Sequence, residues 1–362
     1  KLQLLAYDLL QNQKGAVVAL DVKTGGVLAM VSRPSFDPNL FVKGIPQETY
    51  DKLQHAKEQP LFHRAIRGQY PPGSTVKPLV ALQALDHKVI TPQTTFNDPG
   101  YYQLTANGRL YRDWLPEGHG IISLENAIAE SCTTFFYFVA DKLGIDRMHN
   151  IFSRFGLGEL TNIDIHGEAK GIAPSKEWKK QTKRQAWFQG ETIITGIGQG
   201  YTLVTPLQMA SVASAIANRG TRVQPMLVKA TQTHNQAVND NPVVYAEKVE
   251  LKHPEHWDTV INAMEKVIKY PRGTAHWINN PKSSFTMAGK TGTAQVYGIK
   301  QDETYDANKI KAALRDHAWF IAFAPVEDPQ IAIAVIIENS KGSPMVARKI
   351  LDAYFAGANN GQ

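Results

Sequence analysis

Apolar positions fall into short unbroken runs toward the two ends of the chain and into helical spacing between them. Gly15-Ala-Val-Val-Ala-Leu-Asp21 and Gly26-Val-Leu-Ala-Met-Val31, separated by Lys23-Thr-Gly25, have the form of a β-hairpin. Thr286 to Val296, Ala318 to Ala324 and Ile331 to Glu338 supply three further strands, the last two joined by a turn at Glu327-Asp-Pro329. These strands are expected in one sheet. In the interval, Ser123 to Leu143, Asp146 to Phe155, Pro206 to Asn218 and Pro254 to Tyr270 read as helices, the third capped by Thr205 and stopped at Gly220. Pro344 to Phe355 is helical in period and is expected to pack on the sheet. The segregation of strands from helices gives an α+β class.

The chain has 362 residues, 43% of them hydrophobic and 20% charged, enough for a substantial core. Two lobes of one catalytic unit are expected rather than two independent domains. A formal charge of +6, from 39 basic and 33 acidic residues with no long basic run, argues against nucleic acid as a partner. The densest basic patch, Lys176, Lys179, Lys180, Lys183 and Arg184 around Trp178 and Trp187, reads as a solvated, mobile loop, the alternative being contact with anionic glycan or lipid headgroups. No run of about 18 apolar residues occurs and no signal-peptide pattern is present. Lys1-Leu-Gln-Leu-Leu-Ala-Tyr-Asp-Leu-Leu is amphipathic, so residues 1–14 read as the tail of a preceding region and 15–362 as the catalytic domain.

Candidate chemistry begins at Tyr70-Pro-Pro-Gly-Ser-Thr-Val-Lys77-Pro. The Pro-Pro-Gly breaker is followed by an apolar helical run to Asp86, which places Ser74 at a helix start. Three residues along a helix, β-carbons stand about 5–6 Å apart, so the Lys77 amine is within reach of the Ser74 hydroxyl. A serine needs a neighbour to take its proton, and a lysine can do so only when neutral, through burial or a second cation nearby. Lys290, in Gly289-Lys-Thr-Gly-Thr293, is the expected second cation.

The pairing of S-x-x-K with a distant K-T-G resembles the superfamily of penicillin-binding proteins and serine β-lactamases. More narrowly, the chain resembles the transpeptidase domain of the elongation-type class B enzymes, penicillin-binding protein 2. Thr24-Gly-Gly-Val-Leu-Ala-Met-Val, Tyr111-Arg-Asp-Trp114, Gly196-Ile-Gly-Gln-Gly-Tyr201, Lys290-Thr-Gly-Thr-Ala-Gln-Val296 and Ala322-Phe-Ala-Pro325 carry the likeness along nearly the whole chain. The resemblance implies a five-stranded antiparallel sheet sandwiched by helices, a helical lobe, and a cleft between them. It implies a Ser74 acyl-enzyme, with Ser131 relaying a proton between Lys77, Lys290 and the leaving amine. Ser131-Cys-Thr133 departs from the family's serine-x-asparagine, so Thr133 brings a hydroxyl where an amide is usual. Ser74 and Thr293 would supply the oxyanion hole, Thr291 and Thr293 would hold a terminal carboxylate, and Gly292 would let substrate backbone approach the strand.

By the same resemblance the reaction is cross-linking of peptidoglycan stem peptides, with β-lactams acylating the same serine and no cofactor needed for catalysis. The partners implied are stem peptides, β-lactams and a membrane glycosyltransferase, at the periplasmic face of the inner membrane. Rival readings are a β-lactamase or D,D-carboxypeptidase, a noncatalytic β-lactam sensor, and a scaffold. The Gly196–Tyr201 segment follows no phosphate-loop pattern and reads as a tight turn near the cleft, without a catalytic part.

The lone cysteine excludes an intramolecular disulfide. Asp98, Asp113, His119 and Cys132, each beside a turn or helix start, make up a donor set of the kind that closes a tetrahedral zinc site. The alternative is a small buried Cys132 and a surface His119. Enzymes resembling penicillin-binding protein 2 include zinc binders, so the resemblance implies a structural zinc, fastening the Asp98–His119 loop to the Ser131 segment.

Overall fold

The structure is a computed structural model that describes residues 1–234, 237–295, 311 and 314–359. Strands β1 (Gly15–Asp21), β2 (Val27–Arg33), β3 (Ala288–Ala294), β4 (His317–Ala324) and β5 (Ile331–Ile337) form one sheet in the order β2-β1-β5-β4-β3. Every neighbouring pair is antiparallel. All seven residues of β5 and six of seven in β1 are buried. Helices cover both faces of these central strands, which is why they read as continuous apolar runs and not as alternation. Leu2–Leu9 and Ser343–Asn359 pack on one face and Pro206–Ala217 on the other. Thr205 caps the last of these in a reciprocal pair with Gln208.

The third predicted strand begins two residues late, at Ala288, because the Thr286 hydroxyl is committed sideways to Glu327 and the Val326 amide. Its predicted end, Val296, lies outside the described residues. The basic patch is not a loop: Lys176–Lys183 is a helix whose Ser175 cap accepts from the Trp178 amide at 3.0 Å. Lys179 is fully buried there, 2.5 Å from Glu191 and 4.4 Å from the Phe188 ring centroid. Lys176, Lys180 and Lys183 remain exposed.

The expected helix from Ser123 to Leu143 is two helices, Leu124–Ala129 and Thr133–Leu143. Cys132 N–H returns to the Ala127 carbonyl at 3.0 Å and Ser131 N–H to Ile128 at 3.3 Å, with Ser131 at φ 60°. This is a Schellman ending with serine in the left-handed position that glycine usually takes. Cys132 then caps the second helix, its sulfur accepting from Phe135 N–H at 3.4 Å.

Sheet and serine segment are joined by side chains from both. Trp319 of β4 is 1% exposed and donates its indole N–H to the Pro71 carbonyl at 3.0 Å. Tyr70 stands edge-on to that indole and donates to Glu338, which also holds the buried Arg64 at 2.8 Å. Replacing Trp319 by Phe removes the donor and leaves most of the packing. The expected loss is about 1–3 kcal/mol of unfolding free energy by urea denaturation; an unchanged midpoint would show that the bond to Pro71 contributes nothing.

Candidate active site

Ser74 sits on a tighter turn than expected. Gly73–Val76 is a single 3₁₀ turn, and the α-helix proper runs from Lys77 to Asp86 with Pro78 in its first turn. Lys77 N–H donates to the Ser74 carbonyl, so the two residues are one turn apart. The turn is pressed against β3. A β-carbon on Gly73, which has φ 54°, would lie 2.3 Å from the Thr293 carbonyl oxygen, and one on Gly292 would lie 2.8 Å from the Pro72 carbonyl oxygen. Only glycine fits at both surfaces of this contact.

The glycine-rich segment Gly196–Tyr201 braces the same contact from the other side. Gly198 accepts from Gly73 N–H at 2.9 Å, and the Gln199 amide donates to the Thr293 carbonyl at 2.7 Å. It is a turn, as read from the sequence, and its job is to hold serine turn and strand together. Its glycine spacing was the available signal.

Lys290 and Gly292 share one face of β3, directed at the serine turn, and Lys290 is fully buried. Thr291 and Thr293 lie on the alternate face, half-buried and exposed respectively. Lys290 therefore points inward, and Thr291 turns to Thr274, oxygen to oxygen 2.7 Å. Thr274 was not singled out by the sequence reading.

Lys77 is also fully buried. Its amine donates to the Ser131 carbonyl at 2.7 Å and lies 3.3 Å from both the Ser131 hydroxyl and the Cys132 carbonyl. The helix break provides all of these oxygens: a continuous helix would have spent the two carbonyls on its own amides. Burial brings Lys77 down to about 8, against the pull of Asp113 and Cys132. Burial, with the charge of Lys77 beside it, holds Lys290 well below the ordinary lysine range. The two amines thus converge, and they cannot both carry a proton at little cost.

Behind the break, Asp98, Asp113, His119 and Cys132 bring one donor atom each within 4.8 Å of one another. Cys132 Sγ lies 3.4 Å from Asp98 and 3.5 Å from Asp113. His119 Nδ1 lies 2.8 Å from Asp98 and 3.8 Å from Asp113, with its side chain 1% exposed. His119 is not the surface residue that the alternative required. Asp113 also accepts from the Thr133 and Thr134 amides at 2.6 and 2.9 Å, which ties Thr133 through its backbone to this cluster. Burial pushes the Cys132 thiol up. For Asp98 burial acts the same way, but hydrogen bonds from Thr134, His119 and the Gly100 amide outweigh it and lower the carboxyl.

The arrangement is a serine on a braced turn, one buried lysine on the helix that follows the turn and another on the strand pressed against it, a left-handed serine within reach of Lys77, and an edge strand carrying hydroxyls. Among the described residues no helix is long and apolar enough to cross a membrane. The family described as the penicillin binding protein transpeptidase domain matches residues 15–355. The chain is 43% identical over 365 residues to peptidoglycan D,D-transpeptidase MrdA of Escherichia coli K12, covering 99% of this chain and 57% of that protein. The crystal structure of Pseudomonas aeruginosa PBP2 in complex with WCK 5153 superimposes with a TM-score of 0.86 at 44% identity, covering 98% of this chain and 76% of that one. PBP2 of Helicobacter pylori, in its complex with MreC, gives 0.85 at 31% identity over 99% of this chain and 63% of that one. The chain therefore spans little more than half the length of its curated E. coli relative, and it belongs to the penicillin-binding protein transpeptidase family.

Proposed function

We propose that this domain is a peptidoglycan D,D-transpeptidase of the elongation type, working through a Ser74 acyl-enzyme. The single observation that carries the reading is a pair of buried amines close enough to act on one another, Lys77 on the helix that follows the Ser74 turn and Lys290 on the strand pressed against that turn. Because the pair resists double protonation, one amine is free near neutral pH to take the Ser74 proton. Ser74 then attacks the penultimate D-alanine carbonyl of a stem peptide. The backbone N–H groups of Ser74 and Thr293, on the two sides of the glycine contact, receive the oxyanion. The proton passes by way of Ser131 to the leaving D-alanine, and an amine of a second stem resolves the acyl-enzyme into a cross-link.

Thr291 and Thr293 hold the terminal carboxylate, and Gly292 keeps the strand edge clear for the peptide. Thr133, one helical step beyond Cys132, faces the peptide in place of the usual amide. β-Lactams are inhibitors because their strained amide presents the same carbonyl beside the same carboxylate. The longer protein would act at the periplasmic face of the inner membrane, with a membrane glycosyltransferase as partner. The H. pylori relative's complex with MreC supports assembly of such domains with other proteins.

The Asp98, Asp113, His119 and Cys132 group is assigned a structural zinc. Tetrahedral zinc with bonds of about 2.0–2.3 Å separates its ligands by about 3.3–3.5 Å, and the sulfur-to-carboxylate distances of 3.4 and 3.5 Å match this. The shorter His119–Asp98 contact is a hydrogen bond that coordination would replace. Four protein ligands leave no open position, so the ion would supply rigidity to the Ser131 break and no chemistry. Protein purified without chelator should carry about one zinc per chain by elemental analysis and melt at lower temperature after stripping; trace zinc alone removes the assignment.

Incubation with a penicillin should add the drug's mass to the intact chain, and Ser74→Ala should abolish the adduct while leaving the melting temperature near that of the unaltered protein. A scaffold would bind labelled penicillin equally well with alanine at position 74, and a β-lactamase would shed the adduct within seconds. The acylation rate should also fall as pH drops through about 8, because protonation of Lys77 removes the base. A rate flat from pH 6 to 9 would exclude a lysine base whose proton is lost near 8.

A further inference from the structure

Between the Glu255–Lys269 helix and β3 the chain makes a turn that touches both walls of the site. Gly273 is wedged there: a β-carbon on it would lie 2.4 Å from the Val267 carbonyl oxygen and 2.5 Å from that of Lys266. Gly273 N–H bonds Tyr270 at 2.8 Å, and Ala275, fully buried, bonds Val267 at 3.0 Å. Thr274, between these fixed points, donates its N–H to the Ala129 carbonyl at 3.1 Å, at the end of the helix that precedes Ser131. Its hydroxyl lies 2.7 Å from that of Thr291, on the strand that carries Lys290. Arg272, in the same turn, holds the buried Glu130 carboxylate at 2.6 Å. One turn thus clips the Ser131 segment to β3.

We infer that Thr274 is a positioning residue that orients the Thr291 hydroxyl toward the carboxylate of donor peptide or β-lactam. The inference rests on the function proposed above. A hydroxyl has a single proton, so a Thr291 hydroxyl with no fixed neighbour is free to turn that proton away from an incoming anion. When Thr274 donates to Thr291, the Thr291 lone pair is occupied and its own proton is left for the carboxylate. A hydroxyl that accepts one bond while donating another is also a stronger donor. In this relay Thr274 need not touch the ligand. The signature is therefore selective: recognition of the carboxylate weakens while attack by Ser74 on the carbonyl does not.

The test compares acylation of Thr274→Val, Thr274→Ser and the unaltered domain by benzylpenicillin and, at higher concentration, by its methyl ester, which has no carboxylate. Thr274→Val should slow the penicillin by about tenfold, the effect of losing one hydrogen bond in line with a charge, through weaker binding and not a lower limiting rate. It should leave the ester rate and the pH profile unchanged, and Thr274→Ser should restore the penicillin rate. Equal slowing of penicillin and ester would mean that the turn only supports β3, and would overturn the assignment. An unaltered penicillin rate in the valine variant would overturn it too. If the unaltered domain is acylated by neither compound, the transpeptidase reading itself fails and the inference goes with it.

Discussion

Two lysine side chains held out of water set the terms for the rest of the molecule. An ammonium buried without partners is costly, and proteins escape the cost by pairing it or by letting it lose its proton. This fold does some of each. Lys77 is given the oxygens of a broken helix, which solvate a charge without cancelling it, and Lys290 is left drier, with Lys77 as its neighbour. Neither amine forms an ion pair with a carboxylate among the described residues. Full neutralisation would make an inert internal salt bridge, whereas partial solvation leaves an amine able to exchange a proton.

The rest of the structure keeps the elements that carry these amines, the Lys77 helix and β3, against the serine turn. Glycines on the serine turn and on β3 bring two backbones into direct contact, and the Gly196–Tyr201 turn and Trp319 clamp the contact from either side. The Asp98, Asp113, His119 and Cys132 cluster grips the amides after the break, so the carbonyls facing Lys77 are fixed from behind. Each of these contacts has backbone on at least one side, so the framework does not depend on pairs of long side chains.

Much of this was legible in the residues. The central strands and the Pro206–Ala217 helix fall close to their expected limits because unbroken apolar runs and a Thr-x-x-Gln cap are strong local signals. The paired motifs pointed to Ser74, Lys77 and Lys290, and the structure brings the two amines together. The break at Ser131 was invisible because no glycine, asparagine or proline marks it. Tertiary demand imposes a left-handed serine on a sequence that otherwise continues as helix. The buried Lys179 was missed for a related reason: composition shows a basic run, and only the fold shows which member is paired with Glu191. Thr274 belongs to an ordinary turn whose meaning depends on packing against Thr291, seventeen residues further along, and not on any local pattern.

Position 131 answers to two unrelated requirements at once. Its backbone asks for a residue content with positive φ, which favours glycine or asparagine, while Lys77 asks for an alcohol at 3.3 Å. Threonine has the alcohol, but its branched β-carbon suits that backbone poorly. Each of these replacements meets one requirement at the expense of the other, and serine is the residue that tolerates both.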